Sequence, residues 1–245
     1  MSPSPLPENA GLAFLGESAW PEAILTAREA KRLAAASNAC GRPNSDVLRR
    51  RLAVANGVPT ESWQIDFPAH FTAQEAALYE QPFALLHDRA PNSTWLNPHA
   101  NPTLRRTLAR VSRFLAMPAE ATTPDWRWLE EDLLPDATLL VVARDDDFSH
   151  GVLESHSFSI WWQKWHATLS PDLIVGSFPF PWPPATALSG LSAAQEEQRH
   201  AIARAARSGD VQLNSAVLAA YGWPGELEDG ELLEKLAGLN RSRSD

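Results

Sequence analysis

The side chains able to do chemistry in this chain fall into a few groups, and arginine makes the densest of them. Arg105, Arg106, Arg110 and Arg113 follow one another closely, with no acidic residue between Asn101 and Ala119. Guanidinium forks match phosphate oxygens, so such a run is either an anion-binding face or a solvated helix surface. Arg49, Arg50 and Arg51 form a second run upstream. The 7 histidines show no HxH or HExxH spacing, even where His150, His156 and His166 share one region, so they do not make a metal set. Asp145, Asp146 and Asp147 follow Arg144, but consecutive carboxylates at a strand end point in different directions and lack the spacing of a calcium loop. They read as a solvated turn. Glu29-Ala30-Lys31 matches the E-x-K of many nucleases, yet it falls on a helix with no aspartate on a neighbouring strand. Cys40, the only cysteine, sits among Asn38, Gly41 and Pro43 without a positioned base. No G-x-G-x-x-G, G-x-x-x-x-G-K-[ST] or G-x-S-x-G occurs. No residue is assigned a catalytic, cofactor-binding or metal-binding role.

These groups are carried on elements that the patterning makes visible. Residues 1–11 are rich in proline and serine and read as disordered. Thr26 with Glu29 is a capping box opening a helix through "TAREAKRLAAAS", and Thr72 with Glu75 opens another over 72–81. "DVLRRRLA" reads as a second short helix or an arm. Trp63, Ile65 and Phe67 alternate, which predicts a strand over 62–67. Residues 92–102 are loop. Residues 103–116 read as one amphipathic helix with Leu104, Leu108, Val111 and Leu115 on its apolar stripe and the four arginines off it. Leu139 to Ala143 is a continuous apolar run, a buried strand. Helical spacing of Leu153, Phe158, Trp161 and Trp165 predicts a helix from Val152 to Thr168. "SFPFPWPP", Ser177 to Pro184, is neither helix interior nor central strand, since proline fixes φ and lacks an N–H. It reads as a stiff strap whose aromatics clamp onto an α/β body, followed by three helices.

Bulk composition bounds the rest. The 245 residues are 44% hydrophobic, enough for one large domain or two small ones. No apolar run approaches the roughly 20 residues of a membrane span, and the N-terminus has no signal-peptide pattern. A single cysteine suits a reducing cytoplasm. Net charge is −9. Residues 1–113 hold 12 Lys/Arg against 10 Asp/Glu, or +2, and residues 114–245 hold 9 against 20, or −11. An anion-binding face is therefore expected in the first half.

Three segments occurring in order, "LLPDATLLVVARDDDFSHGVLES", "SFPFPWPP" and "AVLAAYGWPGELEDGELLEKLAGLN", resemble the C-terminal part of MmeI-like DNA adenine methyltransferases, the type IIG enzymes that fuse restriction and modification. "SWQIDF" and "LARVSRFLAMP" resemble earlier segments of the same region, so the likeness covers most of residues 20–240. The strap and Tyr221-Gly222-Trp223 are its most specific parts. The family's N-P-P-Y motif and S-adenosylmethionine loop have no counterpart. Asn97-Pro98-His99 and Asn101-Pro102-Thr103 are not that motif, Phe158 and Ser159 stand where a His–Glu pair is usual, and Leu213-Asn214 replaces Leu-Asp.

The resemblance implies an α+β (mixed α/β) target recognition domain over 20–184, after a disordered or irregular N-terminus over 1–19, and an all-helical tail over 185–245. It implies sequence-specific recognition of duplex DNA for a methyltransferase or restriction-modification system of phage defence. S-adenosylmethionine would be held by a separate catalytic subunit docked on the acidic tail. Phosphates would meet Arg105, Arg106, Arg110 and Arg113, with Arg49, Arg50 and Arg51. Base edges would be read from loops near 92–101 and 145–156. The alternative is an interaction protein or inhibitor that no longer binds DNA.

Overall fold

A computed structural model describes residues 2–91 and 95–244. In chain order the elements are β1 (Ala13–Leu15), β2 (Ile24–Leu25), α1 (Ala27–Ala34), β3 (Leu48–Ala55), β4 (Val58–Ile65), α2 (Ala73–Ala77), α3 (Glu80–Arg89) and α4 (Pro102–Leu108). Then follow β5 (Arg113–Pro118), β6 (Arg127–Glu130), β7 (Leu133–Pro135), β8 (Leu139–Val142), α5 (Asp147–Glu154), α6 (His156–Trp165) and α7 (Pro171–Ser177). The last three are α8 (Ala193–Ser208), α9 (Leu213–Ala220) and α10 (Asp229–Arg243). The class is mixed α+β, as the sequence implies. The chain divides into two compact units. The first holds residues 1–15, 106–129 and 140–245, and the second holds 16–105 and 130–139.

In the second unit the sheet order is β2-β4-β3-β7. "DVLRRRLA" is not a helix: β3 pairs antiparallel with β4 from Leu48↔Ile65 to Ala55↔Val58. Asn56 (φ 52°) and Gly57 (φ 75°) make the two-residue turn between them, and an Asn-Gly pair takes that left-handed geometry readily. Both capping boxes form, at Thr26–Glu29 and Thr72–Glu75. The helix from Thr72 stops at Ala77 and restarts at Glu80, because Pro82 has no N–H to bond Leu78 and must sit in a first turn. Ile65 and Phe67 are buried and Trp63 packs against the same core, as their alternation predicts.

In the first unit the sheet order is β1-β8-β5-β6. The apolar run at 139–143 is a buried strand, as expected. Residues 103–116 are not one helix. α4 ends at Leu108, and Phe114 to Met117 are buried in β5, because a short apolar run fits a doubly covered strand as well as a helix stripe. The helix expected over 152–168 is broken at Ser155. Its Oγ donates to the Val152 carbonyl (2.7 Å) and caps the N-terminus of α6, so the side chain takes the backbone's place. Nor are residues 2–11 disordered: Leu6 and Asn9 are buried, and Asn9 Nδ2 donates to the Phe178 carbonyl at 2.8 Å.

The strap holds this unit's core. Phe178 and Phe180 are 0% exposed and Trp182 6%, so the clamp is real. Phe178 meets Phe158 edge-on at 5.2 Å, and Trp182 stacks on Phe148 at 4.8 Å. Proline removes the strap's donors but leaves its carbonyls needing partners. Side chains supply them. Tyr221 Oη donates to Pro179 O (2.8 Å), Arg243 Nη1 to Phe180 O (2.6 Å) and Asn240 Nδ2 to Ser177 O (2.7 Å). Ile202, Val217, Leu232 and Leu236 from the three last helices join the strap's own cluster.

Candidate nucleic-acid interface

In the second unit, carboxylates occupy three of the four arginines that sequence analysis proposed there. α4 is anchored by buried Leu104, which turns Arg105 toward two acids. Arg105 bonds Glu17 through Nε (2.6 Å) and Nη2 (2.7 Å), and Asp66 through Nη1 (2.8 Å) and Nη2 (2.9 Å). Burial alone would lower its pKa, but these bonds outweigh it and raise it. On β3, Arg51 is 1% exposed and is held by Gln64 Oε1 (3.0 Å) and by the Asp136 carboxylate. Burial would raise the Asp136 carboxyl, yet the Arg51 and Thr138 hydrogen bonds hold it below the usual range. Arg50 pairs with Glu130 at 3.0 Å and stands near Glu61 and Asp132. Arg49 is exposed and makes no ion pair among the described residues.

The first unit presents its arginines differently. Arg106 on α4 and Arg110 in the turn beyond it are exposed. Arg113 opens β5, with its guanidinium 3.8 Å above the Trp128 ring. Its Nη2 donates to Asp147 Oδ1 (2.7 Å) and to the Asp145 carbonyl (3.1 Å). Asp147 Oδ2 accepts from Arg207 Nη1, also at 2.7 Å. Burial would raise the Asp147 carboxyl, but the bonds from Arg207 and Arg113 prevail and lower it. The two arginine side chains remain 40% and 60% exposed, while Asp147 is 15% exposed. One enclosed acid therefore holds two guanidiniums that still face water. A fork held in place, with N–H groups left over, suits a phosphate oxygen.

The local sequence explains how this face is built. "RDDD" is not a free turn: Asp146 caps α5 by accepting from Ser149 N (2.8 Å), and Arg144 pairs with Asp146 at 2.7 Å. α8 lies against α5 at Gly151, where a Cβ would come within 2.7 Å of Ile202 Cγ2. That close approach brings Arg207 to Asp147. Arg207 and exposed Arg204 lie one turn apart on α8 and belong to the half from which no anion face was expected. Their (i, i+3) spacing was the available signal. The stretch 145–156, expected to be a reading loop, is mostly the buried helix α5. In 92–101, residues 92–94 lie outside the described residues. Of the rest, Asn97 Oδ1 accepts from His99 N at 2.9 Å, and Trp95 packs edge-on against Phe67.

No family model and no curated protein matches this chain. Among solved structures it is similar to the type IIL restriction-modification enzyme MmeI in complex with DNA, at 15% identity and a TM-score of 0.55. The match takes in 99% of this chain and 36% of that one, so the chain spans about a third of its neighbour's length. At this identity the likeness is one of fold.

Proposed function

We propose that the chain is the DNA-recognition part of an adenine-methylating restriction-modification system of phage defence, acting in the cytoplasm. The observation that carries this reading is that 99% of the chain follows the fold of part of an enzyme solved with DNA. Catalysis and S-adenosylmethionine binding then belong to a separate methyltransferase subunit, which docks on the helices of the tail. Arg110, Arg113, Arg204 and Arg207 meet phosphates, contacts that position a protein on duplex DNA without reading it. Arg49 and Arg106 add to this set. Arg51 and Arg105 serve as internal struts, and Arg50 is held at the surface by the exposed acids Glu130, Glu61 and Asp132.

The test is a salt titration of affinity for mixed-sequence duplex DNA. Each phosphate contact releases about one counterion, so Arg110→Ala with Arg207→Ala should flatten the log–log slope by about 2, alike for all sequences. Identical slopes remove the arginine face from the proposal. The second reading, an interaction protein that does not bind DNA, is favoured by the net charge of −9 and by the internal pairing of Arg51 and Arg105. Absence of any gel shift at low salt selects it.

A further inference from the structure

The first unit also carries a cleft of opposite charge to the arginine face. It measures about 490 Å³ and lies between the start of α6, α9 and the start of α10. Its apolar floor is Leu218, Leu227 and Leu232, and its rim is Glu226, Glu228 and Glu231. Among the described residues Glu226 and Glu228 have no cationic partner, and Glu231 has only Lys235, at 3.6 Å. The walls are fixed in place. His156 Nε2 and Asp229 Oδ1 are 2.7 Å apart, and the His156 amide donates to Asn214 Oδ1 at 2.7 Å, which ties α6 to both other helices.

We infer that this cleft docks a segment of a partner protein in which lysines or arginines flank leucine-like anchors. Uncompensated carboxylates around a low-dielectric floor focus negative potential, which repels a nucleic-acid strand and attracts a cation beside an apolar side chain. A preformed apolar floor takes such an anchor with little rearrangement. The inference rests on the reading that the helical tail carries a protein partner, and it gives that partner's contacting chemistry.

The experiment uses the full chain and a fluorescent synthetic peptide with a leucine pair between lysines and arginines. Fluorescence anisotropy should show saturable binding that weakens as salt rises. Glu226→Gln with Glu228→Gln should weaken it about three- to tenfold, as for two exposed ion pairs. Glu61→Gln, on the second unit, should leave it unchanged, which separates the cleft from general attraction to an acidic protein. A peptide with serines for the leucines should bind at least about tenfold more weakly. Near-ultraviolet circular dichroism confirms that each variant is folded. Lack of saturation, equal affinity of the double variant, or an equal effect of Glu61→Gln each overturns the inference. A DNA gel shift on the same double variant should be unchanged, so failure here is distinguishable from failure of the DNA reading.

Discussion

Arg105 and Arg113 belong to one short run of arginines, yet they do opposite things in the two units. Arg105 lies between Glu17, whose side chain is 0% exposed, and Asp66, at 8%. Two acids take four of its five donors, so a single N–H is left to offer a ligand. Arg113 shares one acid with Arg207, rests on Trp128 and keeps its remaining donors in water. The number of carboxylates per guanidinium, and how deeply they are buried, separates an internal strut from a guanidinium that still faces water. Sequence spacing alone does not.

The largest test of that contrast is Arg105→Ala. Removing it leaves Glu17 and Asp66 facing each other without a cation, which should cost about 3–5 kcal/mol. Arg113→Ala should cost under about 1 kcal/mol, as for an exposed pair. Urea midpoints at unchanged slope measure both, and equal losses would end the distinction. Next comes Gly151→Ala, which forces a methyl group against Ile202. It should cost about 1–3 kcal/mol and should weaken DNA binding together with stability, since it moves α8 and Arg207. Loss of stability with DNA affinity intact would detach the arginine face from the α5–α8 contact.

Acid titration sharpens the comparison further. Asp136 and Asp147 both have folded pKa values below their unfolded ones. The stability they contribute is present above the unfolded value, near pH 4, and is lost as pH falls through the lowered folded value. Asp136→Asn should therefore flatten the stability–pH curve below about pH 4. Asp147→Asn should flatten it less, because its partners are exposed and screened. Following the denaturation midpoint from neutral pH downward decides this, and a larger effect at Asp147 would invert the ranking. The smallest effect is that of Arg207→Ala on stability, within about 0.5 kcal/mol. A larger thermal shift would make Arg207 a strut as well.

How much of this was legible depended on the range of the interaction. Capping boxes at Thr26 and Thr72 are three-residue signals and form as read. The strap's aromatics were legible because proline forbids the alternatives. The β3–β4 hairpin was missed: its turn signal is Asn56-Gly57, but the three arginines of β3 masked the strand's alternation. The break at Ser155 depends on one hydroxyl choosing a backbone carbonyl, which periodicity does not register. The arginine partners were beyond reach: Glu17 and Asp66 come from distant parts of the chain, and Arg207 reaches Asp147, the acid it shares with Arg113, where a glycine lets α5 and α8 touch. Charge counted along the chain pointed to residues 1–113 and passed over Arg204 and Arg207 for the same reason.

The first unit is assembled from three separated stretches of chain, and this sets the order in which the protein can be made. β1 pairs with β8 in the register Ala13↔Val142, and the Ser4 amide bonds Asn240 Oδ1 at 3.1 Å. The first contact waits until Val142 has emerged from the ribosome, and the second until Asn240 has. The second unit has all its strands once Pro135 has emerged, so it can fold while the rest is still being synthesised. Contacts so distant in sequence slow folding, and until α10 arrives Leu6, Phe178 and Phe180 wait with unburied surface that can aggregate. A chain stopped before Asn240 should therefore yield a structured middle and sticky ends. Yield in a host cell then depends more on translation through Asn240 than on any residue of the arginine face.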